Sequence, residues 1–141
     1  MKVGRKQRQQ INKIGRGYGL KLILLHGSYA KGSVHKGSDL DIAVLGRNEV
    51  NFNKLLKIRS DLSIIFGDNK YRELDVKSLH KANPLFLYQV LSEGQLLFGN
   101  KEDFENLRAY AFKLYFDSKD LFSLEEKMVE KYQKYLNKTY A

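Results

Sequence analysis

Apolar positions along the chain fall into two rhythms. Leu20-Lys21-Leu22-Ile23-Leu24-Leu25 is almost continuously apolar and of strand length, the pattern of a strand covered on both faces. A second strand is expected over Leu40 to Leu45, closed by Gly46-Arg47-Asn48. Between Phe52 and Phe66, Leu55, Ile58, Leu62 and Ile65 recur at helical spacing, with Asn51 placed to cap the helix. Gly67-Asp68-Asn69 reads as a turn, and a third short strand is expected over Tyr71 to Val76. Asn83-Pro84 opens a helix that runs to about Ser92 and stops at Gly94; Gln95 to Phe98 is a short extended piece. From Lys101 the pattern is helical to about Leu136. Phe104, Leu107, Ala111 and Leu114 form one stripe, Leu121, Leu124, Met128, Tyr132 and Tyr135 a second, and Asp117-Ser118 marks a break between them. Ahead of the first strand, about Lys6 to Ile14 forms a short helix ended by Gly15, Gly17 and Gly19. The order is helix, strand, strand, helix, strand, then helices. This is an α/β design, a small mixed sheet flanked by helices with further helices at the C-terminus.

Composition narrows this picture. A chain of 141 residues fits one domain: a basic arm over 1–20, the α/β body, and a helical extension over 101–141. Without cysteine there is no disulfide and no thiolate zinc site. The polar N-terminus lacks the apolar run of a signal peptide, and no stretch is long and apolar enough for a transmembrane helix, so a cytoplasmic protein is expected. The net charge of +9 is uneven. Lys2, Arg5, Lys6, Arg8, Lys13 and Arg16 fall in the first 20 residues with no acid among them, which leaves +3 for the rest. Such an arm attracts polyanions or forms a solvated helix face. No aromatic residue interleaves with its charges before Tyr18, so a base-stacking platform for nucleic acid is not indicated.

The chemistry is concentrated in Gly27-Ser28 and Asp39-Leu40-Asp41, ten residues apart. Carboxylates at i and i+2 of a strand point the same way. With Leu40 and Ile42 on a core face, Asp39 and Asp41 share the other and repel unless a cation neutralises them. Magnesium prefers carboxylate oxygens and keeps positions open for phosphate. Gly27 lets the backbone approach a phosphate closely, and Ser28, opening a short helix through Lys31, offers a hydroxyl beside unpaired backbone N–H groups. Gly32 to Ser38 is a polar loop. A third acid, Asp75, can reach the same cavity if the third strand lies beside the second. There it would help hold a second metal and accept a proton. Glu73 faces the same way on the alternation; Asp75 is favoured for its place near the strand end.

These residues resemble a known motif. Gly27-Ser28-Tyr29-Ala30-Lys31-Gly32 followed by Ser38-Asp39-Leu40-Asp41 resembles the nucleotidyltransferase motif of the DNA polymerase β superfamily. More narrowly, residues 15 to 125 resemble the minimal nucleotidyltransferases, the MNT or MntA-like antitoxins. The likeness includes Glu73-Leu74-Asp75-Val76, Asn83-Pro84-Leu85-Phe86 and Glu93-Gly94-Gln95-Leu96-Leu97-Phe98. The resemblance implies an enzyme that transfers AMP from ATP, with two Mg²⁺ ions, to a tyrosine of a HEPN-domain ribonuclease toxin, with which it would form a hetero-oligomer. It implies that Asp39, Asp41 and Asp75 hold the metals, with Asp75 as base. Gly27 and Ser28 would bind the β- and γ-phosphates, and Ser38 would add a phosphate or metal-shell contact. His26 departs from the superfamily, which often has an aromatic such as phenylalanine there, and is expected to pack like one. Lys31 and Lys36 sit in the motif loop as phosphate contacts or solvated charges. Two alternatives stand beside this reading. One is transfer to a small molecule such as an aminoglycoside, for which the chain lacks an obvious drug-holding domain. The other is inhibition of a partner by contact alone, through the C-terminal stripes and Tyr110, Tyr115, Tyr132, Tyr135 and Tyr140.

Overall fold

The run Leu20–Leu25 does become a strand apolar on both faces, and the fold is arranged around it. A computed structural model of the chain describes residues 1–140, apart from the side chains of Phe122, Thr139 and Tyr140. Its elements are α1 (Arg5–Gly17), β1 (Leu20–His26), α2 (Ser28–Lys31), β2 (Leu40–Gly46), α3 (Phe52–Phe66), β3 (Leu74–Ser78), α4 (Pro84–Glu93), β4 (Gln95–Gly99) and α5 (Lys101–Tyr140). The four strands form one mixed sheet in the order β3-β2-β1-β4. β1 is antiparallel to β2 and β4, while β2 runs parallel to β3 after the crossover through α3.

Alternation along β1 divides the core. Ile23 and Leu25 join Leu40, Ile42, Val44, Ile58 and Leu62 in a cluster beneath α1 and α3. Leu22 and Leu24 join Ala43, Leu87, Leu91, Phe104 and Ala111 beneath α4 and α5. Burying each such leucine or isoleucine contributes about 1.5–3 kcal/mol relative to leaving it in water. Local signals hold the helices where they lie. The Asn51 side chain accepts from Lys54 N at 2.8 Å, and Asn83 does the same for Phe86 N at 2.8 Å.

Three expectations are corrected. α1 is longer than Lys6 to Ile14: it begins at Arg5, runs through Gly15, which does not end it, and stops at Gly17. Gly15 is buried where the helix crosses the Phe98 ring; a Cβ there would stand 2.5 Å from ring carbons. The residue is glycine because the helix lies so close to the ring. Gly15→Ala should therefore cost about 1–3 kcal/mol in a denaturant melt, unlike an ordinary helical Gly→Ala change. β3 begins at Leu74 rather than Tyr71, since the preceding residues are used in a turn. The Asn69 side chain accepts from the N–H groups of Tyr71 and Arg72, at 2.9 and 3.2 Å. Lastly, α5 passes Asp117-Ser118 without a break, helped by a Lys113–Asp117 pair at 2.9 Å. It is about 60 Å long. Its first stripe is packed on α4 and the sheet, whereas Leu121, Leu124, Met128, Tyr132 and Tyr135 are each more than half exposed. The Tyr140 side chain lies outside the described residues. Among the described residues no helix is long and apolar enough to cross a membrane.

Candidate active site

β1 delivers the Gly-Ser turn to the carboxylates. The strand ends at His26, and Gly27 follows at φ 71°, ψ −155° before Ser28 opens α2. The antiparallel pairing of β1 with β2 sets His26 opposite Asp41. Gly27 therefore rests on the Asp41 side chain: a Cβ at Gly27 would stand 2.3 Å from Asp41 Oδ2 and 3.1 Å from its Cγ. Glycine is required twice here, by the positive φ and by the contact.

The parallel pairing of β2 with β3 sets Asp41 beside Asp75. His26, Asp41 and Asp75 thus stand in a row across three adjacent strands. Asp39 lies two residues before Asp41, just ahead of β2, and is exposed. Asp75 is the second residue of β3, not near its end, so the reason for preferring it to Glu73 changes. Register places Asp75 next to Asp41. Glu73 precedes the strand, is exposed, and takes part through its carbonyl, which accepts from Leu40 N at 2.8 Å. Electrostatics agree with this placement. Burial pushes the Asp41 carboxyl above the usual carboxylate range, and the charges of Asp75 and then Asp39 add to the rise; Lys77 opposes it. The entry to β3 is pinned as well. Asp68 accepts from Leu74 N at 3.0 Å and pairs with Arg59 at 2.7 Å, while Arg59 Nε donates to Leu74 O at 3.1 Å.

The donor set suits a hard divalent cation. Asp41 feels the like charges of Asp75 and Asp39, and among the described residues neither Asp39 nor Asp41 has a salt-bridge partner. As the side chains stand, no three His, Asp or Glu residues among those described are gathered closely enough to hold an ion. Asp75 is turned toward Lys77 Nζ, 3.5 Å away. Rotation of that carboxylate is the change a cation would ask for.

Ser38 is placed differently from the motif's other members. It is buried, and its Oγ accepts from His35 N at 2.9 Å while its N–H donates to His35 O at 3.0 Å, so it shapes the loop before β2. His26 packs edge-on to Phe86 with ring centres 5.9 Å apart, in the manner of an aromatic. Its buried Nε2 has no hydrogen-bond partner among the described residues, and burial holds the imidazole below its ordinary pKa, hence neutral near pH 7. Lys31 pairs with Glu93 at 3.0 Å across a cleft of about 260 Å³ beside Gly27, which His26 and Phe86 also line. Lys36 is exposed. Sequence reasoning passed over Lys77, Phe86 and Asp68. For Lys77 a signal existed, since it stands two residues after Asp75 on the same strand face.

A mixed sheet that sets a glycine-serine turn against carboxylates is the frame of a phosphate-handling enzyme. The chain belongs to the nucleotidyltransferases of the polymerase β family, whose model (Polymerase beta, Nucleotidyltransferase) matches residues 9–103. Membership implies a nucleotide substrate and, typically, a divalent metal. The chain is 29% identical over 96 residues to the protein adenylyltransferase MntA of Shewanella oneidensis, a match covering 68% of this chain and 66% of that protein. It also matches a crystal structure of a toxin-antitoxin with AMP-PNP, at 25% identity and a TM-score of 0.69, over 89% of this chain and 98% of that one. A structure of a tri-AMPylated Shewanella oneidensis HEPN toxin in complex with MNT antitoxin matches at 22% identity and a TM-score of 0.65, over 92% of this chain and 98% of the other. At that identity the last likeness concerns the fold alone.

Proposed function

We propose that this chain is a single-domain, Mg²⁺-dependent protein adenylyltransferase, the antitoxin partner of a HEPN-domain toxin, transferring AMP from ATP to a toxin tyrosine in the cytoplasm. The observation that carries the proposal is the strand register, which brings Asp41 beside Asp75 while Gly27 is packed on Asp41. The adenylyltransferase name of the Shewanella relative and the toxin-antitoxin structure holding AMP-PNP support the choice of donor and partner.

In this reading the backbone at Gly27 and the Ser28 hydroxyl grip the β- and γ-phosphates, a close approach that a side chain at 27 would block. Asp39, Asp41 and Asp75 would hold two Mg²⁺ ions, which when bound stabilise charge on the attacking and leaving oxygens. The tyrosine oxygen attacks the α-phosphorus, its bond to the β-phosphate oxygen breaks, and pyrophosphate leaves. Asp75 takes the phenolic proton. Ser38 serves by fixing the loop that leads into Asp39.

A second reading, inhibition by contact alone, draws on the exposed distal stripe of α5, whose leucines, methionine and tyrosines suit a protein interface. One experiment separates the two. Purified toxin incubated with this protein, ATP and Mg²⁺ should gain the mass of one or more AMP units. Toxin that is inhibited at unchanged mass would favour the contact reading.

A further inference from the structure

Among the described residues, the ammonium of Lys77 is the one cation paired with the carboxylate row. Lys77 follows Asp75 by two residues on β3, so both side chains leave the strand on one face. Its Nζ lies 3.5 Å from Asp75 Oδ2 and 5.4 Å from the centre of the Phe86 ring. Phe86 in turn packs against His26, which stands across the sheet from Asp41. The same ammonium charge acts on Asp41 and on His26. Lys77 thus sets one positive charge against acids that carry a single sign.

We propose that Lys77 is a resident counter-ion of this carboxylate cluster, which a divalent cation must displace, so that metal and nucleotide load together. The inference rests on the proposed function. A metal bound at Asp75 would lie about 2 Å from a carboxylate oxygen that Lys77 now faces, and two cations cannot share that position without strong repulsion. The Lys77 side chain is half exposed on a flexible four-carbon stem, so it can turn away. Once displaced it needs another anion, and a triphosphate held at the neighbouring Gly27-Ser28 turn supplies one. Metal alone must push the ammonium into water; metal with nucleotide offers it a new partner. Linkage makes the coupling reciprocal, each ligand strengthening the other by one factor.

The test is Mn²⁺ binding to the intact chain, read from the electron paramagnetic resonance of free Mn²⁺, with and without a non-hydrolysable ATP analogue. Lys77→Met should bind Mn²⁺ alone about fivefold more tightly than wild type, the upper range for one partly exposed ion pair. The enhancement brought by the nucleotide should shrink by about the same factor. Lys77→Arg keeps the charge and should keep the wild-type coupling. Circular dichroism checks that each variant is folded. Lys77→Met binding Mn²⁺ no more tightly than wild type without nucleotide would overturn the inference while leaving the proposed function intact. Absence of Mn²⁺ binding in every variant, even with nucleotide, would overturn both.

Discussion

Replacing Asp39 and Asp41 together by alanine is expected to leave a folded protein whose nucleotidyl transfer has dropped on the order of 10³-fold. Asp41 is held by β2 between Gly27 and Asp75, and nothing on the neighbouring strands offers a spare carboxylate in its place. Steady-state AMP transfer to the partner checks the size of the loss; a rate within tenfold of wild type would contradict the roles given to both acids. Stability should move the other way. Burial and the like charges of Asp75 and Asp39 raise the folded-state pKa of Asp41, so the folded protein prefers the protonated carboxyl. The contribution of this group to stability is present below the ordinary carboxylate pKa and is lost as pH rises through the raised value. With chelator present, Asp41→Asn should therefore melt above wild type at pH 7, and the difference should fade as the pH is lowered through the carboxylate range.

Gly27→Ala should be nearly as damaging, for a different reason. The added methyl carbon would stand 2.3 Å from Asp41 Oδ2, and the backbone at φ 71° disfavours any side chain. Strain at such a position costs about 1–3 kcal/mol. Beyond that cost, the methyl group must push Asp41 out of line with Asp75. The expected outcome is a loss of transfer on the order of 10²–10³-fold, larger than the drop in melting temperature explains. Gly67→Ala is the matched comparison. Gly67 also has positive φ, at 82°, but has open space where the Cβ would go and lies at the end of α3. It should lose stability and keep its transfer rate. Equal loss of activity in the two variants would mean that strain alone, not the Asp41 contact, is responsible.

Both glycines illustrate what the sequence could and could not reveal. Local signals carried far. The apolar spacing between Phe52 and Phe66 with Asn51 ahead of it fixes α3 at both ends, because cap and stripe are properties of one segment. The nearly continuous apolar run Leu20–Leu25 likewise told of a strand buried on both faces. The spacing from Gly27-Ser28 to Asp39-Leu40-Asp41 pointed to a phosphate turn beside carboxylates. Hidden features depend on partners distant in the chain. Gly15 looks like a helix terminator until Phe98, more than eighty residues on, is seen packed against it. Asp75 and Glu73 are equivalent by alternation, and only the register of β3 on β2 separates them. Lys77 gains its place from three directions: Asp75 on its own strand, Phe86 on α4, and Asp41 on β2. Asp117-Ser118 reads as a break by composition, yet the apolar phase continues through it from Leu114 to Leu121, two full turns later.

The most direct measurement is a crystal structure with Mn²⁺ and a non-hydrolysable ATP analogue, its manganese located by anomalous scattering. The account predicts manganese ligated by Asp39, Asp41 and a rotated Asp75, with the terminal phosphates against Gly27 and Ser28. Manganese bound away from Asp41, or a nucleotide lying elsewhere on the sheet, would contradict it.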